Sequence, residues 1–94
     1  MALAQYALKV RITYHELESL YNALDLAGKV ERGEMTLTLA RTTSRGGTVE
    51  RVINGEGCQV ATIHRIYDAS GNVIRTFPES IVIGDVMLWR LGHG

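Results

Sequence analysis

The sequence predicts a single α+β domain over residues 1–94, with one helix packed on a curved antiparallel meander sheet. Three patterns carry this prediction: alternating apolar residues at 6–14, a capped amphipathic stretch directly after them, and strand and turn signals from Gly33 onward. Short links between strands favour antiparallel neighbours, so the expected order is β-α-β-β-β-β-β. A small, partly closed β-barrel with one helix is the alternative architecture.

The opening strand runs directly into the helix. Apolar side chains alternate with small, polar or basic ones through the strand, at Tyr6, Leu8, Val10, Ile12 and Tyr14. Thr13 and Glu16 have the spacing of a capping box, which marks the start of a helix. An apolar stripe at helical spacing follows at Leu17, Leu20, Tyr21 and Leu24. We therefore expect a helix over 14–27, with Gly28 in the left-handed conformation that often follows a helix end.

Five strands are expected after the helix, over 34–42, 48–53, 58–67, 73–77 and 80–91. The dipeptide Asn54-Gly55 is a strong hairpin signal between the second and third of them. Pro78 is expected to end the strand 73–77, because proline cannot donate a backbone hydrogen bond to a neighbouring strand. Gly84 is expected to bulge or kink the last strand.

The last predicted strand, 80–91, is apolar on both faces, which indicates that both faces are covered. One short helix is too small to cover both sides of a sheet of this width. We therefore expect Val82, Val86 and Leu88 to face a second copy of the chain, in a dimer or a larger ring. The alternative is that the sheet curls and buries this strand within one subunit.

The composition limits the classes of function. Ten basic and ten acidic residues cancel, whereas a strongly basic balance would have indicated a nucleic-acid partner. Eight of the ten basic residues are arginines, which suit interfaces and bidentate recognition. No stretch approaches the roughly 20 apolar residues of a membrane span, and the N-terminal residues lack a signal-peptide pattern. Cys58 is the only cysteine, which predicts a reducing, cytoplasmic location.

The segment 68–79, DASGNVIRTFPE, places oxygen-bearing side chains at four positions that an EF-hand calcium loop uses: Asp68, Ser70, Asn72 and Glu79. However, Val73 stands where such a loop needs glycine, and both flanking stretches have strand patterns rather than helical ones. Pro78 also adjoins the candidate bidentate carboxylate. The segment is therefore predicted to be a hairpin turn between two strands, and the sequence predicts neither a metal site nor a cofactor.

His64 is the most distinctive polar residue of the predicted strands. It shares a strand face with Val60, Thr62 and Ile66, so a buried His64 would need a hydrogen-bond partner. Cys58 lies on the same strand about 20 Å away, which excludes a direct cysteine–histidine pair on a regular strand. We favour a structural histidine and a small, partly buried cysteine. A ligand-binding or proton-transfer role for His64 is the alternative.

These observations favour a small binding or interaction protein over an enzyme, with a protein or a small molecule as its partner. A helix laid over a curved meander often leaves a pocket between them. The expected lining of this pocket is Tyr14, Leu17, Tyr21, His64 and Trp89. A small enzyme that uses His64 as acid or base in the same pocket is the first alternative.

Nucleic-acid binding through a sheet face is the second alternative. Basic side chains occur on several predicted strands, at Lys9, Arg11, Arg51, Arg65, Arg75 and Arg90. If several of them converge, with Tyr67 or Trp89 between them, the face could hold a nucleic-acid strand by charge and stacking. This hypothesis requires at least four basic side chains on one exposed face. The neutral total charge argues against it, and we favour a solvated basic face over a nucleic-acid partner.

Overall fold

The computed structural model describes residues 8–90 of the chain. Six strands and two helices follow one another as β1 (Leu8–Arg11), α1 (Tyr14–Ala23), α2 (Leu26–Glu31), β2 (Thr36–Thr42), β3 (Gly47–Ile53), β4 (Gln59–Tyr67), β5 (Val73–Ile83) and β6 (Val86–Trp89). The strands form one sheet in the order β1-β6-β5-β4-β3-β2. β1 runs parallel to β6, and every other neighbouring pair is antiparallel.

The α+β prediction and the expected order of elements are confirmed. The parallel β1–β6 pair makes the sheet mixed, while β2 to β6 form the predicted meander. Within the described residues the two outer strands, β1 and β2, do not pair with each other, so the sheet stays open and the barrel alternative is wrong. The opening strand ends at Arg11 because the helix begins at Tyr14, and Tyr6 lies outside the described residues.

The core lies between the helices and one row of paired side chains that crosses the whole sheet. The register places this row at Val10, Leu88, Ile81, Ala61, Val52 and Leu37, from β1 to β2. Leu17 and Tyr21 of α1 and Leu26 of α2 pack on it. Leu17 and Val52 are fully buried. We call this side of the sheet the helix side.

The helical region begins at Tyr14 as predicted, but a break divides it into α1 and α2, and it ends at Glu31 rather than at Ala27. In an unbroken helix Leu26 would lie about 180° around the axis from Leu17, on the solvent side. Asp25 takes the left-handed conformation, with φ at 52°, and the break allows Leu26 to join the core. Gly28, expected after the helix end, lies inside α2 instead. No helix in the described part of the chain is long and apolar enough to cross a membrane.

The boundary between the last two strands also differs from the prediction. β5 continues through Pro78, because the register shifts there and leaves Glu79 as an extra, bulged residue. Gly84 does not bulge a strand; with φ at 61° it helps to form the two-residue turn from β5 to β6. The predicted strand 80–91 is therefore two antiparallel strand segments, and its apolar residues divide between them.

The opposite side of the sheet, which we call the outer face, bears no helix among the described residues. The register places one row of side chains across it from β1 to β2: Arg11, Trp89, Ser80, Thr62, Arg51 and Thr38. A second, shorter row contains Lys9, Met87 and Val82. Trp89, Met87 and Val82 are half-buried, whereas the basic residues of both rows are exposed.

Candidate functional site

A pocket of about 710 Å³ opens beside the first turn of α1. It exists because β6 pairs only with residues 80–83 of β5, which leaves room alongside the earlier part of that longer strand. Three segments of the chain converge on the pocket, and its lining consists of Arg11, Ile12, Thr13, Tyr14, Glu16, Arg75, Phe77 and Arg90. We call it the arginine pocket.

Guanidinium groups and aromatic rings alternate along the wall of this pocket. The Cζ atom of Arg90 lies 5.2 Å from the ring centroid of Tyr14. The Tyr14 and Phe77 rings meet edge to face, with centroids 6.0 Å apart. The Cζ atom of Arg75 then lies 4.4 Å from the centroid of Phe77. Each contact is of the cation–π or edge-to-face kind, so the four side chains support one another in a continuous wall.

The three arginines of the pocket differ in their ion pairing. Arg90 is buried, donates through Nε to the carbonyl oxygen of Pro78 at 3.0 Å, and pairs with Glu79 through Nη2 at 2.5 Å. Arg11 and Arg75 are exposed, and neither forms an ion pair with another described residue. Arg90 therefore holds the wall in place, and the other two present positive charge to an incoming group.

The polar groups at the start of α1 are largely engaged with one another. Thr13 and Glu16 form the predicted capping box: the Thr13 amide donates to Oε1 of Glu16 at 2.9 Å, and the Glu16 amide donates to Thr13 Oγ1 at 3.1 Å. The backbone bond from Thr13, reinforced by its hydroxyl, lowers the pKa of Glu16. Burial, together with a hydrogen bond to Glu18, raises the pKa of Tyr14, so its phenol stays a donor.

His64 stands behind this wall rather than in the pocket. Its ring centroid lies 6.2 Å from that of Phe77, and it does not belong to the pocket lining. Its Nε2 atom is buried and has no hydrogen-bond partner among the described residues. A Cβ added to Gly47 would lie 2.9 Å from that atom, so the ring packs directly against the β3 backbone. This geometry gives no support to an acid–base role.

The other residues predicted to line a pocket are spread over the fold. Leu17 is fully buried in the core, and Trp89 lies on the outer face. Tyr21 borders a small cavity of about 110 Å³ between α2 and the sheet, where Arg65 and Ile63 also lie. The gap between helix and sheet is thus nearly filled, and of the predicted lining only Tyr14 reaches the arginine pocket.

The residues that sequence reasoning missed are Arg11, Arg75, Phe77 and Arg90 as one group. The excess of arginine over lysine was the available signal, since arginine suits stacked and bidentate contacts. Their convergence depends on β5 continuing through Pro78 beyond the end of β6, and the sequence pattern indicated the opposite.

The residues predicted to contact a second copy do not share one surface. Leu88 belongs to the core row on the helix side, where Val86 also lies, paired with Leu8. Val82 pairs with Met87 on the outer face. A contact with a second copy through the outer face would therefore involve Val82 without the other two.

The basic residues of the nucleic-acid hypothesis also divide between surfaces. Arg65 faces the helix side, where Nη1 lies 3.4 Å from Oε1 of the buried Glu50. The Tyr67 hydroxyl donates to the same carboxylate at 3.0 Å. The register places four exposed members of this set on the outer face: Lys9, Arg11, Arg51 and Arg75. Arg41 of β2, which is also exposed, lies on the same face.

The segment 68–79 forms the predicted hairpin between β4 and β5. Asp68 accepts backbone bonds from Ser70 and Asn72, each at 2.9 Å, and Gly71 takes a positive φ of 86°. These backbone bonds, led by that from Asn72, lower the pKa of Asp68. Cys58 is exposed in the turn before β4 rather than partly buried. Residues 8–90 contain no group of three or more potential metal ligands.

No known protein family, curated protein or solved structure matches the chain.

Proposed function

We propose that this chain is a binding protein whose arginine pocket holds an anionic ligand with a flat, apolar portion. The observation that carries this proposal is the convergence of Arg11, Arg75 and Arg90 from three segments on one pocket of about 710 Å³. Two of these guanidinium groups have no ion-pair partner among the described residues. Pockets of this size accommodate small organic ligands.

The chemistry of the wall defines the class of ligand. A guanidinium group matches carboxylate and phosphate through paired, charge-assisted hydrogen bonds. Arg75 is stacked on Phe77, which restricts its motion and reduces the entropy that binding must remove. Ile12 and Phe77 supply apolar surface for a ring or a short chain, and the phenol oxygen of Tyr14, whose proton is donated to Glu18, can accept a hydrogen bond.

The proposal excludes neither a second copy of the chain nor a protein partner at another surface. We prefer it to the alternative in which the chain is an enzyme that uses His64 as acid or base, because Nε2 of His64 is buried against the backbone of Gly47. A reducing, cytoplasmic setting remains part of the proposal, supported by the lone, exposed Cys58.

Isothermal titration calorimetry of the full chain tests the proposal with three probes: adenosine monophosphate, adenosine and inorganic phosphate. We expect the monophosphate to bind more tightly than either part alone, because it uses both the guanidinium groups and the apolar wall. Arg75→Gln should weaken its binding by about tenfold or more, the size expected for one charge-assisted hydrogen bond. Arg45→Gln removes the same charge from the exposed β2–β3 turn and should change nothing.

Two results would overturn the proposal. One is equal binding of the monophosphate by the Arg75→Gln variant and the unaltered chain. The other is the absence of binding for every probe in a chain whose circular dichroism shows a folded state.

A further inference from the structure

We infer that the outer face of the sheet binds single-stranded nucleic acid, with the chain of nucleotides crossing the strands from β1 towards β2. This surface is separate from the helix side and from the core. The inference goes beyond the arginine pocket, and only its last step, which places one nucleotide in that pocket, rests on the proposed function.

Charge is distributed unevenly between the two sides of the sheet, although the total is zero. Five exposed basic residues lie on the outer face by register: Lys9, Arg11, Arg41, Arg51 and Arg75. The acidic residues lie elsewhere. Five belong to the helical segment and the loop after it, at Glu16, Glu18, Asp25, Glu31 and Glu34, and three to turns, at Glu56, Asp68 and Asp85.

The remaining two carboxylates are already engaged. Glu50 lies on the helix side, where Thr48, Arg65 and Tyr67 bind it. Glu79 pairs with Arg90. The outer face therefore carries one sign of charge, which attracts a polyanion and raises its rate of association.

The same face supplies a surface for stacking. Trp89 is half-buried in the central row, between Arg11 on β1 and Ser80 on β5. Thr62 and Thr38 continue the row with hydroxyl groups that can bond to phosphate or sugar. Unpaired bases stack on aromatic side chains with little regard to sequence, and this is the recognition mode that an aromatic residue among arginines suits best.

The dimensions favour a single strand over a duplex. A row that crosses six strands extends about 24 Å at the usual spacing between neighbours. The major groove of a DNA duplex, about 12 Å wide, admits a helix or a two-stranded ribbon and excludes a face of this width. A two-fold contact with a second copy is also disfavoured here, because it would place like charges opposite one another.

The arginine pocket continues this surface. Arg11 lies both in the central row of the outer face and in the pocket lining, and Arg75 also lines the pocket. A strand that follows the row therefore reaches the pocket, where one phosphate can meet the guanidinium groups of Arg11 and Arg75. Because the pocket is proposed to bind anions, the end of the nucleic-acid strand that lies in the pocket is held most tightly.

Fluorescence anisotropy with a labelled oligothymidylate of about twelve nucleotides, a length that single-strand-binding folds cover, tests the inference on the full chain. The logarithm of affinity should fall with the logarithm of salt concentration, with a slope of about −0.7 for each phosphate contact. We expect a slope of about −2 or steeper. Arg51→Gln should weaken binding several-fold and make the slope shallower by about 0.7. The matched control, Arg45→Gln, should change neither quantity.

Two substitutions at Trp89 test the contribution of base stacking. Trp89→Phe should retain most of the affinity, whereas Trp89→Ala should lose about tenfold or more, the loss of one stacked base. If Trp89→Ala does not fold, Arg51→Gln and the salt slope decide alone, because Arg51 is exposed and lies outside the core. Absence of binding, a slope near zero, or equal affinity for a duplex of the same length would overturn the inference.

The outcomes separate the two proposals. Oligonucleotide binding that depends on Arg51, in a chain that does not bind adenosine monophosphate, supports the outer face and overturns the role of the pocket. Binding of adenosine monophosphate that depends on Arg75, with an oligonucleotide no tighter, supports the pocket and overturns this inference. Light scattering provides a third outcome. A dimer that the substitution Val82→Asp dissociates would show that the outer face contacts a second copy, and it would also overturn the nucleic-acid inference.

Discussion

Arg75 lies over the ring of Phe77, with its Cζ atom 4.4 Å from the ring centroid. The same ring contacts Tyr14 edge to face and lies 6.2 Å from the centroid of His64. Phe77 thus links the arginine pocket to the β4 strand, whereas Arg75 is the exposed end of this set of contacts. The two side chains should therefore separate binding from stability.

We expect Phe77→Ala to lower both the free energy of unfolding and ligand affinity. Removing the ring of a half-buried phenylalanine should lower the free energy of unfolding by about 2 kcal/mol, less than the 3–5 kcal/mol lost when the ring is fully buried. Arg75→Ala should lower the free energy of unfolding by no more than about 1 kcal/mol, the value of an exposed cation–π contact. It should still weaken the binding of adenosine monophosphate. Urea unfolding and calorimetry measure the two quantities. Equal destabilisation by both substitutions would contradict this assignment.

Gly47 is required by close packing rather than by its backbone angle. A Cβ at this position would lie 2.8 Å from the carbonyl oxygen of Arg65 and 2.9 Å from Nε2 of His64. The first of these is a backbone atom on the neighbouring strand, so it cannot move aside without distorting the sheet. Gly47→Ala should therefore cost about 1–3 kcal/mol, the range for overpacking a filled site.

The control for this substitution is Gly55→Ala in the β3–β4 turn. A Cβ there meets no atom within 4 Å, and Gly55 does not have a positive φ. Thermal unfolding should show Gly55→Ala within about 0.5 kcal/mol of the unaltered chain, as for other unconstrained surface positions. If the Gly47→Ala and Gly55→Ala variants have the same midpoint of thermal unfolding, the packing between β3 and β4 at Gly47 is looser than these distances indicate.

The sequence predicted the elements of this fold better than their ends. Alternation and the Thr13–Glu16 spacing are local signals, so the order of elements along the chain and the start of α1 were readable from them, whereas the order of strands in the sheet was not. The break at Asp25 was not readable, because it depends on Leu26 reaching a core row to which all six strands contribute. The propensity of Pro78 to end a strand was likewise overridden by a bulge at Glu79, whose register is set by β4.

The candidate site was predicted less well for the same reason. Tyr14, predicted to line a pocket between helix and sheet, lines the arginine pocket instead. Its partners there come from β1, β5 and the residue after β6, and no local pattern reveals the relative lengths of these strands. His64 was predicted to line the same helix–sheet pocket, and it packs against Gly47 instead. Long-range register, rather than composition, determines which arginines meet.

Glu50 should make stability depend on pH. Burial opposes its ionisation, but the hydrogen bonds from Thr48 and Tyr67 and the charge of Arg65 outweigh it and lower the pKa of Glu50. A folded-state pKa below the ordinary 4.5 means that the ionised group stabilises the fold above that pH. This contribution is lost as the pH falls through the lowered value.

Glu50→Gln should accordingly cost about 2 kcal/mol at pH 7, since hydrogen bonds to a charged group are replaced by weaker neutral ones. The difference from the unaltered chain should shrink as the pH falls from 4.5 through the lowered pKa of Glu50, because the protonated carboxyl group is then neutral, as glutamine is. Glu56→Gln, an exposed change in the β3–β4 turn, serves as the matched control. Urea unfolding at several pH values measures the effect, and a gap that stays constant with pH would exclude the ionised network.

Thr13 should stabilise α1 through the capping box. Its hydroxyl accepts from the Glu16 amide, and its own amide donates to the Glu16 carboxylate. Thr13→Ala removes the first bond and should cost about 1 kcal/mol. Ser19→Ala, in the exposed middle of α1, should have the opposite sign, because alanine is the better helix former.

The pH dependence of the same pair gives a stricter test. The bonds from Thr13 lower the pKa of Glu16, so its part of the cap is present above the ordinary pKa of 4.5 and is lost as the pH falls through the lowered value. Thr13→Ala should therefore destabilise the chain more at pH 7 than at acid pH, whereas the effect of Ser19→Ala should not vary. Circular dichroism during thermal unfolding measures both. If Thr13→Ala has the same effect at both pH values, the hydrogen bond from the Thr13 hydroxyl to the Glu16 carboxylate does not contribute to the cap.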